Sequence, residues 1–260
     1  MLAKDAYFEN LLSEMNRWMT PLAKPFTPPR EVPVGEDGML LEFCDKRPET
    51  VMVGKLVRAV SGINAAMHLA EIGYVTECGA LLRVVSDLSE EIFTIGMALQ
   101  ARYDGKPMNK DVQTFVEQYF FPLASTPDDF AKQSKVRYVS REKLLLAKVA
   151  LSPAIPGMGS DMILKLARYL NKVYDGFVHG CYESTMQLWS TEEKAFELLG
   201  RSDADVKAEF VDATIHKLHE VVAAIEITAN MTGCDEVNQA AREARRKMDS
   251  MGISLDPRLK

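Results

Sequence analysis

Along most of the chain apolar positions recur at steps of three and four, the spacing that lines one side of an α-helix. They predict a first helix over about 3–19, closed before Pro21 because proline lacks the N–H that continues a helix and biases its predecessor toward extended geometry. The pattern then breaks: residues 21–48 carry Pro21, Pro25, Pro28, Pro29, Pro33 and Pro48, with a Glu36-Asp37-Gly38 turn between Val32-Pro33-Val34 and Met39-Leu40-Leu41. A short hairpin and an extended arm wrapping the bundle both fit that stretch.

From Pro48, suited to a first helical turn, a helix is predicted to run to Gly73, suited to its C-cap. A second follows over about 76–103, with Leu81, Val85, Leu88, Ile92, Ile95 and Leu99 as its apolar seam. Shorter helices are predicted at about 109–120 and 140–151. A long one is predicted at about 160–189, with Ile163, Leu166, Leu170, Val173, Phe177, Cys181 and Leu188 on one side, and two more at about 203–232 and 235–250. No convincing strand run and no repeat at solenoid periods interrupts them. Short links between long helices favour antiparallel neighbours, so the expected architecture is an all-α, multi-helix bundle of long antiparallel helices. Residues 1–50 form its N-terminal helix and proline-rich arm, and 51–260 the helical bundle domain.

Composition narrows the classes. At 260 residues, 47% apolar, the chain can bury a core without staples. Cys44, Cys78, Cys181 and Cys234 are scattered with no C-x-x-C pair, which points to free thiols in a reducing cytoplasm rather than a disulfide framework or a cysteine zinc site. Lys4, Asp5 and Glu9 interrupt the N-terminal apolar residues, and no window reaches ~18 uninterrupted apolar residues, so neither a signal peptide nor a membrane span is expected and the localisation reads as cytoplasmic. A net charge of −6 weighs against a general electrostatic grip on RNA or DNA. The local cluster of Arg242, Arg245, Arg246 and Lys247, with Glu243 among them, reads as a solvated helix face. Glycine-rich phosphate loops, a nucleophile elbow and Cys/His signatures are missing, so no cofactor is implied.

Three polar constellations interrupt the helical pattern. On helix 76–103, Arg83, Asp87, Glu90 and Thr94 fall at i, i+4, i+7 and i+11, opposite the leucine seam, where Arg83 and Asp87 can pair as a surface salt bridge. On helix 160–189, Asp175, His179 and Glu183 fall at i, i+4 and i+8. A histidine between two carboxylates suits general acid or base work and equally describes a solvated face. Gly176 and Gly180 bracket His179 and smooth the helix for the close approach of a neighbour or ligand. The third is Glu209, Asp212, His216 and His219 on helix 203–232, where Asp212, His216 and His219 could hold a metal ion if other helices completed the shell.

The stretch Gly79-Ala-Leu-Leu-Arg83-Val-Val-Ser-Asp87, followed by Tyr174-Asp-Gly-Phe-Val-His179-Gly180, resembles a group of bacterial all-helical proteins, and more distantly the HEPN class of helical bundles. That resemblance implies a link to stress or phage defence and a ribonuclease reading. In that reading His179 is acid or base, Arg83 the stabiliser of phosphate charge, and Asp87, Asp175 or Glu183 orient them. The chain departs from the class at one point: no arginine stands four to six residues before any of His68, His179, His216 or His219.

Taken together, the residues favour a helical regulatory or interaction protein, a homo-oligomer or the binder of a protein partner. An HEPN-like ribonuclease is the alternative, a metal-binding bundle a second one. Arg83 and His179 are expected to share a cleft.

Overall fold

The computed structural model describes residues 2–34, 38–120, 139–151, 161–162, 164–165, 168, 175, 177–179 and 185–253. Among these, seven helices are α1 (Leu2–Ala23), α2 (Pro48–Ile72), α3 (Val75–Tyr103), α4 (Lys110–Tyr119), α5 (Arg141–Leu151), α6 (Ala204–Thr232) and α7 (Asp235–Ser250). Two antiparallel hairpins accompany them, β1 (Arg30–Val34) with β2 (Gly38–Glu42), and β3 (Trp189–Ser190) with β4 (Ala195–Phe196). The described residues of 161–178 are helical as well. The all-α bundle is thus what the chain builds.

Its centre is the packing of α2, α3 and α6, closed by α7. Leu56, Ile63, Ile92, Ile95, Leu218 and Ile225 are fully excluded from solvent there. Phe8, Leu11, Met15 and Leu22 of α1 belong to the same continuous core, so the N-terminal helix is seated on the bundle although the arm behind it is not helical. Each buried aliphatic side chain stabilises the fold by about 1.5–3 kcal/mol.

The turn between α2 and α3 shows how local chemistry sets this packing. Gly73 adopts φ 88°, the left-handed geometry that closes a helix. Gly73 N–H reaches Ala70 O at 3.2 Å and Tyr74 N–H reaches Leu69 O at 2.8 Å. The residue has no room for a side chain either, since a Cβ there would lie 2.3 Å from the Arg201 carbonyl oxygen. Arg201 N–H donates to Gly73 O at 2.7 Å, and its guanidinium donates to the carbonyls of Gln187 and Trp189 at 2.7 and 2.6 Å. This buried arginine therefore joins the second hairpin to the α2–α3 turn.

Three expectations are corrected, and one open alternative is resolved. Helix α1 does not stop before Pro21 but runs through it to Ala23. Only one backbone hydrogen bond is lost in that last turn, and fully buried Leu22 holds the turn on the core. The helix expected to reach 189 gives way earlier to turn residues 187–188 and the β3–β4 hairpin, so Leu188 is not part of a helical seam. That hairpin is two residues per strand, too short for an alternating pattern to reveal, and is held by the edge-to-face pair of Trp189 and Phe196 with centroids 5.0 Å apart. On α3 the deepest positions include Leu82 and Ser89, each one residue beyond the expected Leu81 and Leu88, which are only partly buried. The arm resolves to a hairpin, one of its two expected forms.

Candidate functional site

The flank of α3 opposite the leucine seam is covered in part rather than open to water. Arg83 is 5% exposed and Thr94 2%, and α5 together with Asp175 and Phe177 packs on the side the leucine seam leaves open. An arginine covered in this way must find carboxylates. Arg83 finds two. Its Nε donates to Asp175 Oδ1 at 2.6 Å and its Nη1 bonds Asp87 one turn along α3.

Asp175 is delivered by a close apolar contact. Phe177 lies flat against Gly79, where a Cβ would come within 2.6 Å of the ring, and meets Phe210 of α6 edge to face at 5.9 Å between centroids. Glycine at 79 is what allows this approach. His179 follows one helical turn later, its N–H on the Asp175 carbonyl at 3.0 Å, and is exposed. Among the described residues no hydrogen bond or ion pair ties the His179 ring to Arg83 or Asp87. Tyr174, Gly176, Gly180 and Glu183 lie outside the described residues.

Helix α5 completes the cluster with residues the sequence reading passed over. Arg141 bonds Asp87 and reaches Glu90 Oε2 at 3.5 Å, and Lys148 Nζ lies 3.7 Å from Glu90 Oε1. Arg168 bonds Glu142, so the same helix is tied to the 161–178 region as well. The signal was present: Arg141, Leu144, Leu145 and Lys148 fall on one stripe of a short helix, apolar in the middle and cationic at both ends. It needed the facing acids Asp87 and Glu90 to acquire meaning. Together with Glu91, Thr94, Phe115 and Val139 these residues line a cleft of about 260 Å³. Burial pushes the Asp87 carboxyl up to about 6, against the opposing pull of Arg83, with Glu90 and Glu91 adding to the rise. Glu91 is held by Lys55, whose ammonium sits 2.7 Å from Oε2 and over the rings of Phe115 and Tyr119.

Chemically, the cluster pairs cations and carboxylates from three parts of the chain. Burial raises the Asp87 carboxyl within it toward the range suited to proton exchange. The Arg83 donors Nε and Nη1 both point at carboxylates, which leaves the guanidinium engaged where a phosphate stabiliser would need it open.

The expected metal ligands do not gather. Asp212 is exposed and His216 half-buried, whereas His219 is buried with Nε2 2.8 Å from Asp249 Oδ1 on α7. Among the described residues no three His, Cys, Asp or Glu side chains form a metal-sized group. The basic cluster on α7 is engaged in part, with Arg242 and Arg245 both on Glu226 at 3.2 and 3.1 Å and Lys247 over the Tyr7 ring. Cys44, Cys78 and Cys234 are free thiols, and burial pushes the Cys78 thiol up to about 11. No helix among the described residues is long and apolar enough to cross a membrane.

Comparison of the chain with protein-family models, with curated proteins and with solved structures finds no match.

Proposed function

We propose that this chain is a helical interaction protein that acts through assembly with a second copy or a protein partner. The observation that supports it is where large apolar side chains are displayed. Both hairpins and their flanks carry them in solvent: Met39 is 61% exposed, Leu41 65%, Leu198 72% and Leu199 88%. Leaving such groups wet forgoes about 25 cal/mol per Å² of burial, and clustered exposure of this kind marks contact surfaces. The charged cluster on α3 fits the same reading, as a tie between elements. Light scattering on the purified full chain tests it. A mass above one chain, or a stable complex with a defined partner of known stoichiometry, is expected, and a strict monomer with no such complex rejects it.

A ribonuclease of HEPN-like type is the second reading, favoured by one observation, the elevated Asp87 in a cleft beside Arg83 and Arg141. A carboxyl titrating near neutrality is suited to proton transfer. On this reading purified protein cleaves single-stranded RNA with a pH dependence centred near 6 that disappears in Asp87→Asn. RNA left intact by the wild type, or cut equally by the variant, removes it.

A further inference from the structure

The first hairpin has two unlike edges, and register shows which is which. Pro33 has no N–H and so cannot make a two-bond pair with Met39, and alternation then makes Val34–Gly38, Val32–Leu40 and Arg30–Glu42 the bonded pairs. Pro33–Met39 and Glu31–Leu41 are then the pairs that exchange none. Pro33, which has no N–H to give, sits where none is needed, and its missing donor blunts the outer edge of β1. On β2 the same alternation turns the N–H and C=O of Met39 and Leu41 outward. No hydrogen bond from another described element reaches these four groups.

We propose that β2 pairs antiparallel with β2 of a second copy, in register about Leu40, to make a four-stranded sheet across a two-fold axis; this rests on the assembly reading above. A two-fold contact must be self-complementary, and this strand is. Centred on Leu40, Met39 stands opposite Leu41 of the other copy and Leu41 opposite its Met39, both as bonded pairs, which supplies four inter-chain hydrogen bonds. The exposed side chains of those residues then meet as two apolar cross-strand pairs. Charge also permits it. The strand's one ionic residue, Glu42, falls opposite Gly38, and Glu42 is already neutralised by Arg30 at 2.9 Å and Lys46 at 3.0 Å. Like charges are therefore not placed across the seam.

The alternation supplies its own test. Leu41→Pro deletes an outward donor while sparing the β1–β2 ladder, and Met39→Lys places a charge on the seam without touching the backbone. Sedimentation or light scattering of the full chain across the micromolar range is expected to show a concentration-dependent dimer. Each variant should weaken it by ~tenfold or more with the melting temperature unchanged. A dimer that survives both variants overturns the β2 edge and leaves the assembly reading standing. A wild type that stays monomeric, yet forms a complex with another protein insensitive to both variants, overturns it as well, and a monomer with no complex rejects the two together.

Discussion

Helix α3 packs against α6 on one flank and against α5, Asp175 and Phe177 on the other, and the two contacts are made of different material. Toward α6 it presents an almost dry surface. Ile92, Ile95 and Leu99 are buried in one core with Leu218, Val221, Val222 and Ile225, and several polar side chains at this flank are matched to one another. Cys78 Sγ lies 3.6 Å from the Thr214 hydroxyl, and Lys217 Nζ reaches Glu220 Oε1 at 2.5 Å and Ser86 Oγ at 3.2 Å. Toward α5 it presents Arg83, Asp87 and Glu90, answered by Arg141, Lys148 and Asp175. Apolar burial is non-directional and scales with area, whereas ion pairs at a half-exposed seam offset desolvation and contribute little beyond it. The first flank should therefore set global stability and the second the placement of what docks on it.

The strongest way to break that contrast is to cut the dry flank. Ile95→Ala removes a fully buried side chain from the middle of the core, and a loss of about 2–5 kcal/mol is expected in denaturant unfolding. If Ile95→Ala costs less than Arg83→Ala, the hierarchy is inverted. Arg83→Ala comes next. It removes a partner from Asp87 and Asp175, but Asp87 keeps Arg141 and both acids are partly solvated, so the loss should be on the order of 2 kcal/mol rather than the full cost of orphaned buried charges. Arg83→Lys should recover only part of it, because one ammonium cannot hold two carboxylates in separate directions. Proteolysis between 152 and 185 gives the local readout, and faster cleavage there than in Ile95→Ala sharpens the distinction.

A smaller effect is expected at Gly79. In an exposed helix interior, replacing glycine by alanine gains up to about 1 kcal/mol. Here the added methyl would collide with the Phe177 ring, so the net result should be a loss of about 1 kcal/mol. A stabilised Gly79→Ala would show that Phe177 is not seated on α3.

This contrast also explains what the sequence could reveal. The dry flank is written in periodicity, and α2, α3, α6 and α7 fall within about two residues of their expected bounds. Caps help: Gly73 ends α2, and the Asn109 and Asp203 side chains accept the first N–H groups of α4 and α6. The charged flank is written in pairs of residues far apart in the chain. Arg83 with Asp87 was visible because a helix brings i and i+4 together, whereas Arg83 with Asp175 and Asp87 with Arg141 depend on how three segments dock. Spacing alone leaves Arg83 between a surface pair and a cleft shared with His179, because helical periodicity records which side is apolar, not what covers the other side. Arg201 was missed for a related reason. Glu197 four residues before it supplies a carboxylate at 2.8 Å, but the links from Arg201 to Gln187, Trp189 and Gly73 run through backbone carbonyls, which leave no mark in side-chain patterning.

The subtlest test lies at Asp87, where the sign differs from that of an ordinary salt-bridged acid. An acid whose folded pKa falls below its unfolded value stabilises the fold above the unfolded value. Asp87 stands at about 6 in the fold against 3.8 for the free group, so its proton is held more tightly in the folded state. Its contribution therefore favours folding as pH falls from about 6 toward 3.8, and is least favourable above 6, where the carboxylate is ionised beside Glu90 and Glu91 in partial burial. Asp87→Asn mimics the protonated form. The variant should be slightly more stable than wild type at pH 7.5, with the difference shrinking as pH is lowered through 6, because wild type then acquires the proton that the amide replaces. Arg83 keeps Asp175 and Arg141 keeps Glu90 in that variant, so no cation is stranded. Paired urea titrations at several pH values measure the difference directly. A variant less stable than wild type at pH 7.5, by an amount that disappears on acidification, would mean that the ion pairs outweigh burial at this position, and that α5 is drawn onto α3 by charge in the way α6 is drawn by its apolar surface.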